Sequence, residues 1–171
     1  MGWYVVSCKA GQEEAFICFC KQKLSAGVLE DVFQFSYERM KKYLGEWHVD
    51  TCRMFPGHVF LQSDRPERLL KELGEHRAIT ENLEHGVQLL PVSPEEEAWM
   101  QSLCGKEHHL ALSLGKIRED GRFRVLAGPL TGRESWIRKA DLHKRVAVLK
   151  LKQPGGDREI WAGIDIGRKL D

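Results

Sequence analysis

Apolar residues open the chain: Trp3-Tyr4-Val5-Val6-Ser7-Cys8 is rich in aromatic and β-branched side chains and stops at Lys9-Ala10-Gly11, which predicts a buried strand. The period then changes. Phe16, Cys20 and Leu24 recur every four residues with Ile17 beside them, and Glu13 and Glu14 sit where a helix dipole favours negative charge, so a helix is predicted over residues 12–25, closed by Gly27. Residues 32–37, 47–53 and 58–62 read as short strands, with Lys41-Lys42-Tyr43-Leu44-Gly45 as a hairpin tip. A second helix is predicted to start from Asp64 as N-cap, with Glu67 three residues on and Leu69, Leu70 and Leu73 as its apolar stripe. Residues 79–90 show no clear period, and their register stays open. Ser93-Pro94-Glu95-Glu96 places an N-cap serine before a proline at the first helical position, predicting a third helix with Trp99, Met100 and Leu103 on one face and an end near Gly105.

Beyond that point the helical period disappears. Leu110, Leu112 and Leu114 alternate, and residues 123–127, 136–139, 145–152 and 160–166 read as strands separated by Gly-Pro, Asp and Pro-Gly-Gly signals. That spacing predicts a small barrel of about five strands. The predicted boundary lies within residues 104–116.

Composition refines this picture. A chain of 171 residues with 42% hydrophobic content suits one ordinary domain or two small ones. No run approaches the roughly 20 apolar residues of a membrane helix, and Met1-Gly2-Trp3-Tyr4 lacks the basic stretch and apolar core of a signal peptide, so a cytoplasmic protein without a membrane partner is expected. The five cysteines, Cys8, Cys18, Cys20, Cys52 and Cys104, include no CxxC pair and indicate neither a disulfide framework nor a zinc knuckle. Charge separates the two halves. Residues 1–115 hold 12 Lys and Arg against 17 Asp and Glu, whereas residues 116–152 hold 11 against 4, a net of +7. An acidic body with a basic C-terminal segment points to phosphates as partners of that segment.

Catalytic signals are weak. Cys8 or Cys104 with His108-His109 could be imagined as a thiol site and Glu95 to Glu97 as carboxylates, but no local nucleophile motif or glycine-rich phosphate loop accompanies them. No enzyme, metal site or cofactor is expected.

Two blocks narrow the function. Trp3-Tyr4-Val5-Val6 with Gly11-Gln12-Glu13-Glu14, and Met54-Phe55-Pro56-Gly57-His58-Val59-Phe60-Leu61, resemble the opening strand and the "FFPGY" strand of the N-terminal (NGN) domain of the NusG family. Leu90-Pro91-Val92-Ser93 resembles the start of that domain's last helix, and Gly128-Pro129-Leu130-Thr131-Gly132-Arg133-Glu134 resembles the central loop of a KOW motif. The resemblance implies an α+β protein: a ferredoxin-like NGN domain over residues 1–105, a linker or barrel start over 106–115, and a five-stranded KOW β-barrel over 116–171. It also implies a monomer that docks on the β′ clamp helices of RNA polymerase through Tyr4, Phe55 and His58, with non-template DNA as a further contact. Position 58 departs from the family's usual Tyr.

Within the family, Leu130, Glu134, Ile137-Arg138-Lys139 and His143-Lys144-Arg145 resemble the specialised antiterminator branch typified by LoaP. Ala140, Leu142 and Trp136 depart from that pattern. The branch implies recognition of a leader RNA hairpin by the KOW domain, and the basic residues supply a physical motive: Arg122, Arg124, Arg138, Lys139, His143, Lys144, Arg145, Lys150 and Lys152 are the candidate RNA contacts. Two alternatives stand beside this reading. One is a general elongation factor whose barrel recruits a ribosomal protein or termination factor; the other is a translation-related RNA-binding protein, since KOW motifs also occur in ribosomal proteins.

Overall fold

The opening apolar run forms β1 (Gly2–Ser7) in the computed structural model, which describes residues 2–151 and 157–167. It pairs antiparallel with β5 (His58–Ser63), which carries β2 (Asp31–Phe33) on its other side, and β1 in turn carries β6 (Leu90–Pro91). The four-stranded order is β2-β5-β1-β6. One face of this sheet, with Val6, Val32, Val59 and Leu61, is buried with Phe16, Cys20 and Leu24 of the α1 (Glu13–Lys23) region, Leu69 and Leu73 of α2 (Pro66–Glu75), and Ile79 of the short α3 (Arg77–Thr80).

Local chemistry moves two helix ends from their predicted places. α1 stops at Lys23, before Gly27, because Leu24 is already extended (φ −81°, ψ 145°). Asp64 does not cap α2: Pro66, with its fixed φ and missing N–H, occupies the first helical position, so the preceding residue is Arg65, whose N–H donates to Ser63 Oγ at 3.0 Å. Residues 79–90, unplaced by period, hold the end of α3, a bridge from Leu83 to Cys8 and the start of β6. In α4 (Pro94–Cys104), Ser93 Oγ accepts from the Glu96 N–H at 3.2 Å, as its cap motif predicts.

The chain divides into two compact units that do not follow sequence order: Met1–Gln34 with Phe55–Glu97, and Phe35–Met54 with Ala98–Asp171. In the second unit β3 (Ser36–Tyr43) and β4 (Glu46–Arg53) form a hairpin, joined in parallel by β7 (His109–Leu110). Leu44 (φ 51°) and Gly45 (φ 78°) are both left-handed, as a two-residue type I′ hairpin turn requires. Five further strands, β8 (Ser113–Ile117), β9 (Phe123–Ala127), β10 (Ile137–Asp141), β11 (Val146–Leu151) and β12 (Arg158–Ile166), form one sheet in the order β10-β11-β12-β8-β9, with β12 and β8 parallel. A short 3-10 turn (Glu134–Trp136) precedes β10. β3 crosses β12 at Gly163, where a Cβ would lie 1.9 Å from the Glu38 carbonyl oxygen, so only glycine admits this approach. Among the described residues no helix is long and apolar enough to cross a membrane.

Candidate functional site

Residues 55–58 form a type II turn. Pro56 supplies its first corner, Gly57 its left-handed second corner (φ 81°), and the His58 N–H donates to the Phe55 carbonyl at 3.1 Å. The turn is pinned from outside as well. Gly57 N–H donates to Glu13 Oε1 at 3.0 Å and Cys8 N–H donates to the Gly57 carbonyl at 2.7 Å. Glu13 is buried, so this carboxylate ties the first turn of α1 to the strand entry.

Pleat parity then sorts the three residues of the predicted polymerase patch. Opposed residues of an antiparallel pair share a face. Tyr4 opposes Leu61 and Val6 opposes Val59, which puts Tyr4 on the helix-covered face. Ser7 opposes His58 and Val5 opposes Phe60, so His58 shares the other face with Phe60 and Trp3. Phe55 joins that set through its ring, 5.9 Å from Phe60, and Phe33 stacks on Phe60 at 5.7 Å and meets Trp3 edge-on at 5.2 Å. The structure thus puts Phe55 and His58 on one face, at the edge of an aromatic cluster whose Trp3, Phe33 and Phe60 are buried, and sets Tyr4 on the opposite face. Trp3, Phe33 and Phe60 were missed by sequence reasoning. Their signal was one-residue parity, readable only once Ser7 is known to face His58.

The loop at residues 128–134 is a plug. Gly128 (φ 103°) passes so close to Leu112 and Ser113 that a Cβ would lie 2.7 Å from each backbone. Ser113 Oγ accepts from the Leu130 N–H at 3.0 Å, and the Leu130 side chain is fully buried. Gly132 (φ 74°) turns the chain back, and Glu134 Oε1 accepts from Val125 N–H at 3.0 Å, fastening the loop to β9. Arg133 is spent on structure, donating to the Pro129 carbonyl at 2.7 Å and stacking its guanidinium over Trp136 at 5.1 Å.

Beside this plug lies an open cleft of about 730 Å³, lined by Arg118, Arg122, Arg124, Glu134, Arg138 and Lys139 among others. Five cations and one carboxylate line it; that carboxylate is already engaged by a backbone N–H, and Arg118 lies 3.9 Å from Asp120. Sequence reasoning named Arg122, Arg124, Arg138 and Lys139 but missed Arg118. The missed signal was the turn at Asp120-Gly121: Arg118 N–H donates to the Arg122 carbonyl at 2.8 Å, which sets both arginines at the mouth of one hairpin. A β-bulge between Ile137 and Lys139 lets Arg138 and Lys139 both stay exposed. Arg138 also ion-pairs with Glu159.

The remaining predicted contacts are dispersed. His143 and Lys144 are exposed on the β10–β11 turn, where Asp141 Oδ1 accepts from the Lys144 N–H at 2.9 Å. That hydrogen bond, with the charges of Lys144 and Lys139, holds the Asp141 carboxyl below its ordinary range. Arg145 has a left-handed backbone (φ 55°), donates to the Ile166 carbonyl at 3.2 Å and lies over the Trp47 ring at 4.7 Å, so it serves packing. Lys150 pairs with Asp157 at 3.0 Å. Lys152 lies outside the described residues.

The imagined thiol site lacks an activated thiol. Burial pushes both Cys8 and Cys104 up to about 12, with the Glu13 charge adding to Cys8, so each stays a protonated thiol near neutrality. His109 is held by Ser36, its Nδ1 2.7 Å from Ser36 Oγ, with Glu38 3.8 Å from Nε2.

Comparison with known proteins gives one family. The family described as "Transcription termination factor nusG" matches residues 1–101. No curated protein matches the chain.

Proposed function

The chain belongs to the NusG family of transcription elongation and termination factors, whose members bind RNA polymerase, and from that premise we propose that it is an antiterminator that rides on the elongating enzyme and grips a structured leader RNA. In this reading residues 1–105 are the polymerase-binding NGN domain and residues 116–171 a KOW barrel, joined through residues 106–115. The single observation that carries the RNA half is the cleft of Arg118, Arg122, Arg124, Arg138 and Lys139, the cationic wall of the segment with net charge +7. Phosphates would enter such a wall through charge, and duplex RNA would be read by shape rather than by base edges. The Leu130 loop, Glu134 and the 143–145 turn favour the antiterminator branch over a housekeeping factor. On the polymerase side, half-buried Phe55 and exposed His58 are the docking residues, backed by the buried rings of Trp3, Phe33 and Phe60.

The experiment is binding of the full chain to hairpin RNA against scrambled RNA of equal length at physiological salt. The hairpin should bind more tightly, and the double substitution Arg122→Glu/Arg124→Glu should abolish the preference and flatten the dependence of affinity on salt by about two to four phosphate contacts. Equal binding of both RNAs by the unmodified chain would remove the RNA half. Purification of a ribosomal protein or termination factor through the C-terminal sheet, without RNA, would put the general elongation factor in its place.

A further inference from the structure

The sheet that carries the basic cleft also carries a tryptophan that packing does not explain. On β12 the side chains of Ile160, Ala162 and Ile164 are buried, so the pleat turns Trp161 to the opposite face, where it is 42% exposed in the middle strand of five. A single exposed aromatic is ordinary by itself, and its charged surroundings are what give it meaning. Its neighbours are charged. Lys144 Nζ lies 6.0 Å from the ring centroid. Along the ladder Trp161 opposes Val148 on β11, and Val148 opposes Lys139 on β10, so Lys139 shares this face two strand spacings, or about 10 Å, away. The next residue outward on β12, Glu159, is paired with Arg138 from the cleft wall. The exposed ring is therefore continuous with the cationic wall and not a separate apolar patch.

We propose that Trp161 is a stacking platform for one unpaired nucleobase of the bound RNA, with Lys144 and Lys139 receiving the phosphates on either side of it. The inference rests on the RNA reading given above and deepens it: the ligand is a hairpin with a loop or bulge base, not a uniform duplex. A duplex offers the protein only phosphates and groove shape, whereas an extruded base offers a flat face that stacks on an aromatic ring. Charge decides between this occupant and a protein segment. Lys144 beside the ring and Lys139 two strands away favour an anionic polymer, and an apolar protein surface seated on the ring would leave the Lys144 ammonium desolvated.

The test uses the full chain and three synthetic RNAs of equal length: a hairpin with a single unpaired 2-aminopurine in a bulge, the same hairpin with that position paired, and a scrambled strand. The unmodified chain should bind the bulged hairpin more tightly than the paired one and quench the 2-aminopurine. Trp161→Ala should weaken binding to the bulged RNA by about 5- to 100-fold while leaving the paired hairpin within about twofold, and Trp161→Phe should retain most of the selectivity. Circular dichroism and a thermal midpoint on each variant separate loss of the ring from loss of the fold. Equal weakening for both hairpins, or no quenching in the unmodified chain, overturns the platform while leaving the RNA reading intact. Absence of binding to all three RNAs by the unmodified chain overturns both. Loss of a protein partner on Trp161→Ala, with RNA selectivity unchanged, overturns the platform in favour of a protein-docking surface.

Discussion

Two glycine-bearing turns, one in each compact unit, use similar backbone geometry for opposite ends. The turn at 55–58 closes by His58 N–H to the Phe55 carbonyl, and the loop at 128–134 closes by Thr131 N–H to the Gly128 carbonyl and Arg133 N–H to the Leu130 carbonyl. In the first, the fixing groups come from outside, Glu13 and Cys8, and the side chains at its ends stay accessible: Phe55 is half-buried and His58 exposed. In the second, the loop's own side chain is the fixing group, since Leu130 is fully buried and Ser113 meets its N–H. A motif can therefore mark a displayed surface or a structural plug. Which of the two it marks depends on where the side chains flanking its glycines go.

The largest test of that contrast is truncation at each turn. Leu130→Ala should destabilise the second unit by about 2–5 kcal/mol, the range for emptying a buried leucine site. Phe55→Ala, at a half-buried position, should cost about 1 kcal/mol and show its main effect as weakened polymerase binding. Urea denaturation of the full chain, read beside a polymerase pull-down, checks both. Comparable stability losses would mean that the 55–58 turn is also a plug.

Glycine substitution sharpens the comparison at a smaller scale. Gly163→Ala would set a Cβ against the Glu38 carbonyl at 1.9 Å, where backbone cannot yield cheaply, and should cost about 1–3 kcal/mol or more. At Gly57 the nearest atom to an added Cβ is the Cys8 carbonyl at 3.4 Å, an ordinary contact, so Gly57→Ala carries only the left-handed strain of about 1–2 kcal/mol. Thermal midpoints of the two variants should fall in that order.

How much of this was legible depends on whether the deciding contact is local. The Ser93-Pro94 start of α4, the spacing of Phe16, Cys20 and Leu24, and five strands after residue 112 follow from periods and caps within a dozen residues, and the structure has them. Asp64 looked like a cap because the pattern ignored how Pro66 fixes the start of α2. The grouping of the 35–54 hairpin with the C-terminal strands was not legible, since it rests on partners far along the chain, the β3–β7 pairing and the close approach at Gly163. The composition of the aromatic face was hidden for the same reason. Tyr4 and Trp3 are equally plausible in sequence, and the β1–β5 register alone decides which of them shares the face of His58. In the cleft, composition gave the cations, while the hairpin that adds Arg118 needed a backbone pairing.

The smallest expected effect concerns acid, and it again sets one unit against the other. Glu72 in α2 accepts from Ser25 N–H at 3.0 Å and Ser25 Oγ at 2.9 Å, and the backbone bond is the main reason its carboxyl sits below the ordinary 4.5. Asp141 sits below its ordinary 3.8 chiefly through the Lys144 N–H, three residues away. A carboxyl lowered on folding stabilises the native state above its unfolded value, and the contribution fades as pH falls through the lowered folded value. Glu72→Gln should therefore be less stable than the unmodified chain at pH 7, with the two converging as pH drops below about 4.5. Asp141→Asn should converge lower, below about 3.8, and start from a smaller gap, because its bond closes only a local turn whereas Glu72 joins segments 47 residues apart. Urea midpoints measured from pH 7 to pH 2.5 decide the matter, and a gap for Asp141→Asn equal to that of Glu72→Gln would mean that the 141–144 turn contributes more to the second unit than its local reach implies.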